Sequence, residues 1–328
     1  YDVVGSAIAD LTTTATVGGG DTTDDADASA DVGSLIGAQF GDGDTNNAGI
    51  GLSVGGAGNL AGSAQLSSDA TATAVDGGAE ALNLNTVQAT GLELSETGTI
   101  GADSLISATA NVDLDATATN VGGVDDDAEA AAGADSISGL NLTTAVADLS
   151  VGADSTVTAA ATVAADATAT SVDGDAEAQA GNFVAASFDS SATDETLDVA
   201  GAQLGAADFA AGADAVLDAD ASVALTASAT STARTATADA DLGSAVGVQQ
   251  TGTTTIGAAG TIDAESVVSG DADAVSTEGA ATANAVTAAN TGANTTVVTI
   301  GDAGGFSGAA QSTQTADATS VTAAATST

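Results

Sequence analysis

Almost all the side chains available for chemistry in this chain are carboxylates. It has 45 Asp and Glu against one base, Arg234, with no His, Cys or Met. Three acidic groups stand out: Asp24, Asp25 and Asp27; Asp42 and Asp44 around Gly43; and Asp125, Asp126 and Asp127. Carboxylates this close together on turns offer the hard oxygen ligands that Ca²⁺ takes. They are therefore the candidate metal ligands. The full EF-hand spacing and the glycine-rich nonapeptide of calcium-binding β-rolls are both absent. The plainer reading is turn carboxylates that keep the chain solvated. Paired carboxylates also serve as general acid and base in glycosidases. That chemistry needs a sugar cleft, usually lined by aromatics, and this chain holds only five Phe and one Tyr.

The missing residue types exclude most other chemistry. Without His there is no imidazole base, no Ser-His-Asp triad and no His metal ligand. Without Cys there is no thiolate nucleophile, zinc thiolate site or disulfide. The single base is Arg234, so no Lys can form a Schiff base or hold a phosphate. The sequence thus reads as non-catalytic, with no resident cofactor beyond a possible Ca²⁺. A net charge of −44 argues against nucleic-acid binding, which needs cationic contacts to phosphate, and against docking on an anionic membrane. The uncharged run Leu242 to Ile262 is long enough to span a bilayer. It is full of Gly, Thr and Gln, so no membrane insertion is expected. With Tyr1 first and no Met anywhere, a segment ahead of Tyr1 in the nascent product is expected, such as a secretory leader.

The elements that would position these residues repeat. An apolar residue followed by Gly-Ala recurs at Ile100, Val151, Leu204 and Ile256, with looser copies at Ile50 and Ile300. Asp-Ala-Thr-Ala-Thr recurs from Asp69, Asp115 and Asp166, with an echo at Asp317. Ala-Glu-Ala follows each full copy, at Ala79, Ala128 and Ala176. Three markers in one order at a period near 50 residues define a repeat protein. Residues 1–49 read as a degenerate capping or inter-subunit segment, 50–299 as about five repeats, and 300–328 as a degenerate final repeat or assembly segment.

Within a repeat the pattern is that of short strands of about 8–12 residues between Gly, Asp and Asn. In Ser155 to Val163, Val157, Ala159, Ala161 and Val163 fall on one side at a period of two. Ala206 to Ala219 is the exception, Ala-rich enough for a helix. Zero Pro suits uninterrupted backbone pairing. Ala dominates the apolar positions, so the core must be thin. The expected fold is all-β: a β-solenoid or β-helix-like stack of short strands. The alternative is an antiparallel β-sandwich of pilin or immunoglobulin-like type, whose modules run to about 100 residues. Thr71-Ala72-Thr73 and its copies would make an ice-binding array if they lay one rung apart. At a spacing near 50 residues they read as solvated strand positions. Arg234 could pair with an acidic neighbour such as Asp239 or Asp241, or with a carboxylate on another subunit; the plainer reading is an exposed side chain.

On these repeated markers the sequence resembles, at class level, the repetitive Ala/Gly/Thr/Asp-rich surface proteins of bacteria and archaea. These include β-solenoid adhesin stalks and extracellular filament subunits. The resemblance implies a secreted, cell-surface structural protein. The expected function is self-assembly into an extracellular filament, fibre or sheath, with copies of itself as partners and divalent cations or salt offsetting the charge. The alternative is the repeat stalk of an adhesin or an ice-binding β-solenoid.

Overall fold

The computed structural model describes residues 2–18, 25–40, 52–122, 126–142, 148–182 and 196–328. Alternating small apolar and polar residues put every strand in an extended, two-faced state, and among the described residues there is no helix. The chain winds through six rungs and begins a seventh. The first rung is β1 (Asp2–Val17), β2 (Ala26–Ala30), β3 (Leu35–Phe40) and β4 (Leu52–Val54). The second is β5 (Asn59–Ala74), β6 (Ala79–Leu94) and β7 (Gly98–Ile100), and the third β8 (Leu105–Asn120), β9 (Ala128–Leu142) and β10 (Leu149–Val151). The fourth is β11 (Thr156–Ser171), β12 (Ala176–Gly181), β13 (Asp198–Gly205) and β14 (Phe209–Ala211). The fifth is β15 (Val216–Ser231) and β16 (Ala236–Ile256), and the sixth β17 (Thr261–Ser276) and β18 (Ala281–Ile300). The seventh holds β19 (Gly305–Ser320) and the short β20 (Ala325–Ser327).

The strands form two walls. One is a seven-stranded sheet in the order β1-β5-β8-β11-β15-β17-β19; the other is the thirteen-stranded sheet built from the return strands. Every pairing is parallel. This is the expected solenoid, and it rules out the antiparallel sandwich. The first-wall strands are 16 residues long rather than 8–12. Residues such as Asp69 and Gly62, which look like breaks in the sequence, lie inside strands. Asp69 faces outward and Gly62 packs close to the opposite wall. The Ala206 to Ala219 helix does not form. Ala207 and Phe209 are buried, and β14 pairs with β10 and β16, so wall packing overrides alanine's helix preference.

Two recurring turns close each rung. The Gly-Ala copies at Ile100, Val151, Ile256 and Ile300 are turns leading into first-wall strands. The other two such turns start from Val54 and Ala211, whereas the Leu204 copy lies at the end of β13 and the Ile50 copy lies outside the described residues. The residue three places after the apolar one takes a left-handed conformation in all six turns: Ala57, Asp103, Asp154, Asp214, Ala259 and Ala303. A Cβ on Gly101 would lie 2.4 Å from the Gly56 nitrogen of the rung below, so only glycine fits there. At the other end Ser171, Ser231, Ser276 and Ser320 form a ladder. Each hydroxyl accepts an N–H of its own turn, from Gly174, Arg234, Gly279 and Ala323 respectively. Each also donates to a carbonyl of the preceding rung: Asp126, Gly174, Arg234 and Gly279.

The two walls nearly touch along a column of glycines. A Cβ on Gly91, Gly139, Gly201, Gly247 or Gly292 would lie 2.4–2.7 Å from first-wall backbone nitrogens. This waist divides the interior. On one side, columns of buried Ala face each other, for example Ala79, Ala128, Ala176, Ala236 and Ala281. On the other lie larger side chains: Leu60, Leu92, Leu94, Ile106, Leu140 and Phe209.

Candidate functional site

Parallel stacking turns each sequence marker into a column, and the columns form three surfaces. The first is acidic. Asp27, Glu80, Glu129 and Glu177 occupy one column of the second wall. Asp25, Asp27, Asp126 and Asp127 line one cavity of about 220 Å³ together with Glu80 and Glu129. The fold thus brings together two acidic groups that are a hundred residues apart in sequence. Asp24, Asp42, Asp44 and Asp125 lie outside the described residues. The carboxylates here cap turns: Asp25 accepts from the Gly78 N–H at 2.9 Å and Asp127 from the Asp175 N–H at 2.8 Å. Asp175 does the same for Thr235 one rung on. Burial pushes the Asp127 carboxyl up, the Asp175 N–H pulls it down, and Asp175 and Asp126 add repulsion. Among the described residues no group of three or more acidic side chains is arranged to hold a metal ion.

The second surface is the outer face of the first wall. Asp69, Asp115 and Asp166 stack in consecutive rungs, about 4.8 Å apart as neighbouring strands are. Asp115 is pushed up to about 6, first by burial, then by Asp113, Asp166 and Asp69. Burial likewise raises Asp220, with Asp218, Glu265 and Asp263 adding to it, and Asp273, with Asp271 and Asp317 adding to it. Beside this ladder run two hydroxyl columns. One is Thr14, Thr71, Thr117, Thr168 and Ser228; the other is Thr16, Thr73, Thr119, Thr170 and Thr230. The Thr-Ala-Thr copies are therefore one rung apart. A rung is a whole repeat, which the sequence spacing concealed.

Arg234 lies on the turn between β15 and β16, with an exposed side chain. Asp239 takes its hydrogen bond from the Asn284 amide at 2.6 Å, which partly offsets the upward push of its burial. Burial and Asp239 raise Asp241, against the Val286 N–H.

The third surface comprises the two ends. Among the described residues β1 pairs only with β5, and β19 only with β17. Each therefore presents a 16-residue edge. Val4 is 74% and Ile8 71% exposed on β1, and Phe306 is 43% exposed on β19. The sequence reading did not identify the glycine waist or the serine ladder. The waist does have a signal, a Gly between small or apolar neighbours once per repeat: Thr90-Gly91-Leu92, Ser138-Gly139-Leu140, Ala200-Gly201-Ala202, Val246-Gly247-Val248.

No protein-family model, curated protein or solved structure matches this chain. Among the described residues no helix is long and apolar enough to cross a membrane. The functional reading therefore rests on the fold and its surfaces.

Proposed function

We propose that this chain is a secreted, non-catalytic structural protein that assembles with copies of itself into an extracellular filament. The observation that carries this reading is the pair of long parallel edges, β1 and β19, at opposite ends of one stack. Such an edge is a template for another strand, and proteins that must stay monomeric blunt it with Lys, Pro, bulges or a covering element. This chain has neither Lys nor Pro. Pairing one end with the opposite end of the next copy is heterologous and does not close, so it yields a fibre. The composition fits a durable extracellular material, because Arg234 is the only residue trypsin can cleave after. Divalent cations, Ca²⁺ among them, act in this reading as counter-ions to the acidic columns.

Cryo-electron microscopy of the protein in saline buffer with calcium tests this. The expected result is long, uniform filaments with a rung spacing of about 4.8 Å along the axis. Dispersed monomers would overturn the filament reading.

A second reading, an ice-binding face, is favoured by the two hydroxyl columns. They set hydroxyls about 4.8 Å apart across rungs and about 6.6 Å apart along a strand, on a rigid wall. Freezing-point depression by dispersed monomers, lost on replacing Thr117 and Thr168 with Lys, would support it.

A further inference from the structure

We infer that copies join head to tail by laying β1 of one copy flush on β19 of another, in the register of the internal rungs. This rests on the filament reading and specifies its interface. Both strands have 16 residues, and on both every second residue, from Val3 on β1 and from Phe306 on β19, aligns with an inward-facing position of the neighbouring strand. Each internal pairing of this wall keeps one register, with Asp2 aligned to Asn59 at one end of the stack and Thr261 aligned to Gly305 at the other. Continuing that register sets Phe306 beside Val3, Gly308 beside Gly5, Ala310 beside Ala7 and Ala318 beside Ala15 on the inner face. On the outer face it sets Gln311 beside Ile8, Thr315 beside Thr12 and Thr319 beside Thr16. In the second wall, Ala325 and Thr326 of β20 meet Ala26 and Asp27 of β2, in line with the Ala281–Ala325 and Ala26–Ala79 pairs inside the molecule.

Charge permits this contact. Inside the first wall, carboxylates are stacked directly on carboxylates: Asp69 on Asp115, Asp115 on Asp166, Asp218 on Asp263, Asp220 on Glu265 and Asp273 on Asp317. Like charges directly opposite are destabilising. The proposed junction has no such pair: Asp2 meets Gly305, Asp10 meets Thr313 and Asp317 meets Thr14.

Rigid-body geometry fixes the register. The two walls run in opposite directions along each rung. Sliding β1 forward on β19 therefore slides β2 backward on β20, and only the flush position keeps both walls in step. Head-to-head contact of two β1 strands cannot be flush. A flush antiparallel pairing of 16 residues places Asp2 opposite Val17, an outward residue against an inward one. The flush junction predicts an axial repeat of seven rungs, about 34 Å. It also leaves a notch one strand wide in each subunit, because β20 covers β18 only at its start.

The chain has no cysteine, so introduced thiols report on the junction alone. Adjacent parallel strands bring Cα atoms about 4.8 Å apart, within disulfide range. Oxidation of the double variant Ile8→Cys/Gln311→Cys in saline buffer is expected to give a ladder of covalent multimers, and neither single variant should. Two further measurements accompany it: the offset double variant Thr12→Cys/Gln311→Cys, expected to stay uncrosslinked, and the axial repeat of the unmodified fibre. Fibres in which the flush pair stays uncrosslinked, the offset pair crosslinks, or Ile8→Cys alone dimerises would overturn the junction while leaving the filament standing. Absence of both fibres and crosslinks would overturn both.

Discussion

Asp115 shows what stacking does to a single residue. Its carboxyl sits between those of Asp69 and Asp166, with Asp113 beside it, and burial together with these neighbours raises it to about 6. The other resolved shifts, at Asp127, Asp220, Asp239, Asp241 and Asp273, are also upward. A raised carboxyl binds its proton more tightly in the folded state than in the unfolded chain. Its contribution is therefore most favourable below the ordinary carboxylate pKa near 4 and is lost as pH rises through about 6. Thermal melts should show higher stability at pH 5 than at pH 7.5, the reverse of ordinary acid denaturation. Asp115→Asn should raise the melting temperature at pH 7.5 and flatten the dependence between pH 4 and 6. A wild-type melting temperature that fell on acidification to pH 5 would contradict this account of the ladder.

At the scale of elements, the glycine waist sets how closely the two walls approach. Gly139 packs so that an added Cβ would lie 2.5 Å from the Ala160 nitrogen and 2.7 Å from the Gly201 carbonyl oxygen. Both are backbone atoms in paired strands and neither can move alone. Gly139→Ala should therefore destabilise by about 1–3 kcal/mol, the range for overpacking a well-filled interior. Glycine within a strand normally weakens it, so the same substitution at an open site would be neutral or favourable. Chemical denaturation of Gly139→Ala beside Gly305→Ala, whose added Cβ meets only the Thr261 methyl at 3.6 Å, separates the two cases. Equal stability of the two variants would show that the waist does not constrain the walls.

For the whole molecule the dominant quantity is a net charge of −44. Columns concentrate that charge where one rung repeats a carboxylate of the one beneath, as Asp69, Asp115 and Asp166 do. The Debye length is about 8 Å at 0.15 M salt and about 3 Å at 1 M. At 1 M it is shorter than the spacing between rungs, so even nearest neighbours in an exposed column are partly screened. Both melting temperature and fibre mass should rise from low salt to 1 M, and desalting into chelator should disperse the fibres. Scattering and melts unchanged by desalting would show that repulsion does not govern assembly.

Much of this protein was legible in its sequence. Three markers in fixed order gave the repeat. Alternating Ala, Val and Thr gave the strands, and zero Pro with a small-residue core gave a solenoid over a globular fold. These features are local or periodic, and a chain repeating one pattern satisfies its backbone most simply by pairing each copy with the next. Strand length was not legible, because a Gly or Asp inside a strand looks like a turn until its neighbour across the interior is known. Nor was the meaning of the period. Only the tertiary structure set one repeat equal to one rung, which placed Thr71 beside Thr117 and Asp115 beside Asp166. It also brought Asp25 and Asp27 to the same cavity as Asp126 and Asp127. Sequence spacing measures distance along the chain, whereas contact between rungs depends on where the walls turn back, and that is decided by how the whole stack packs.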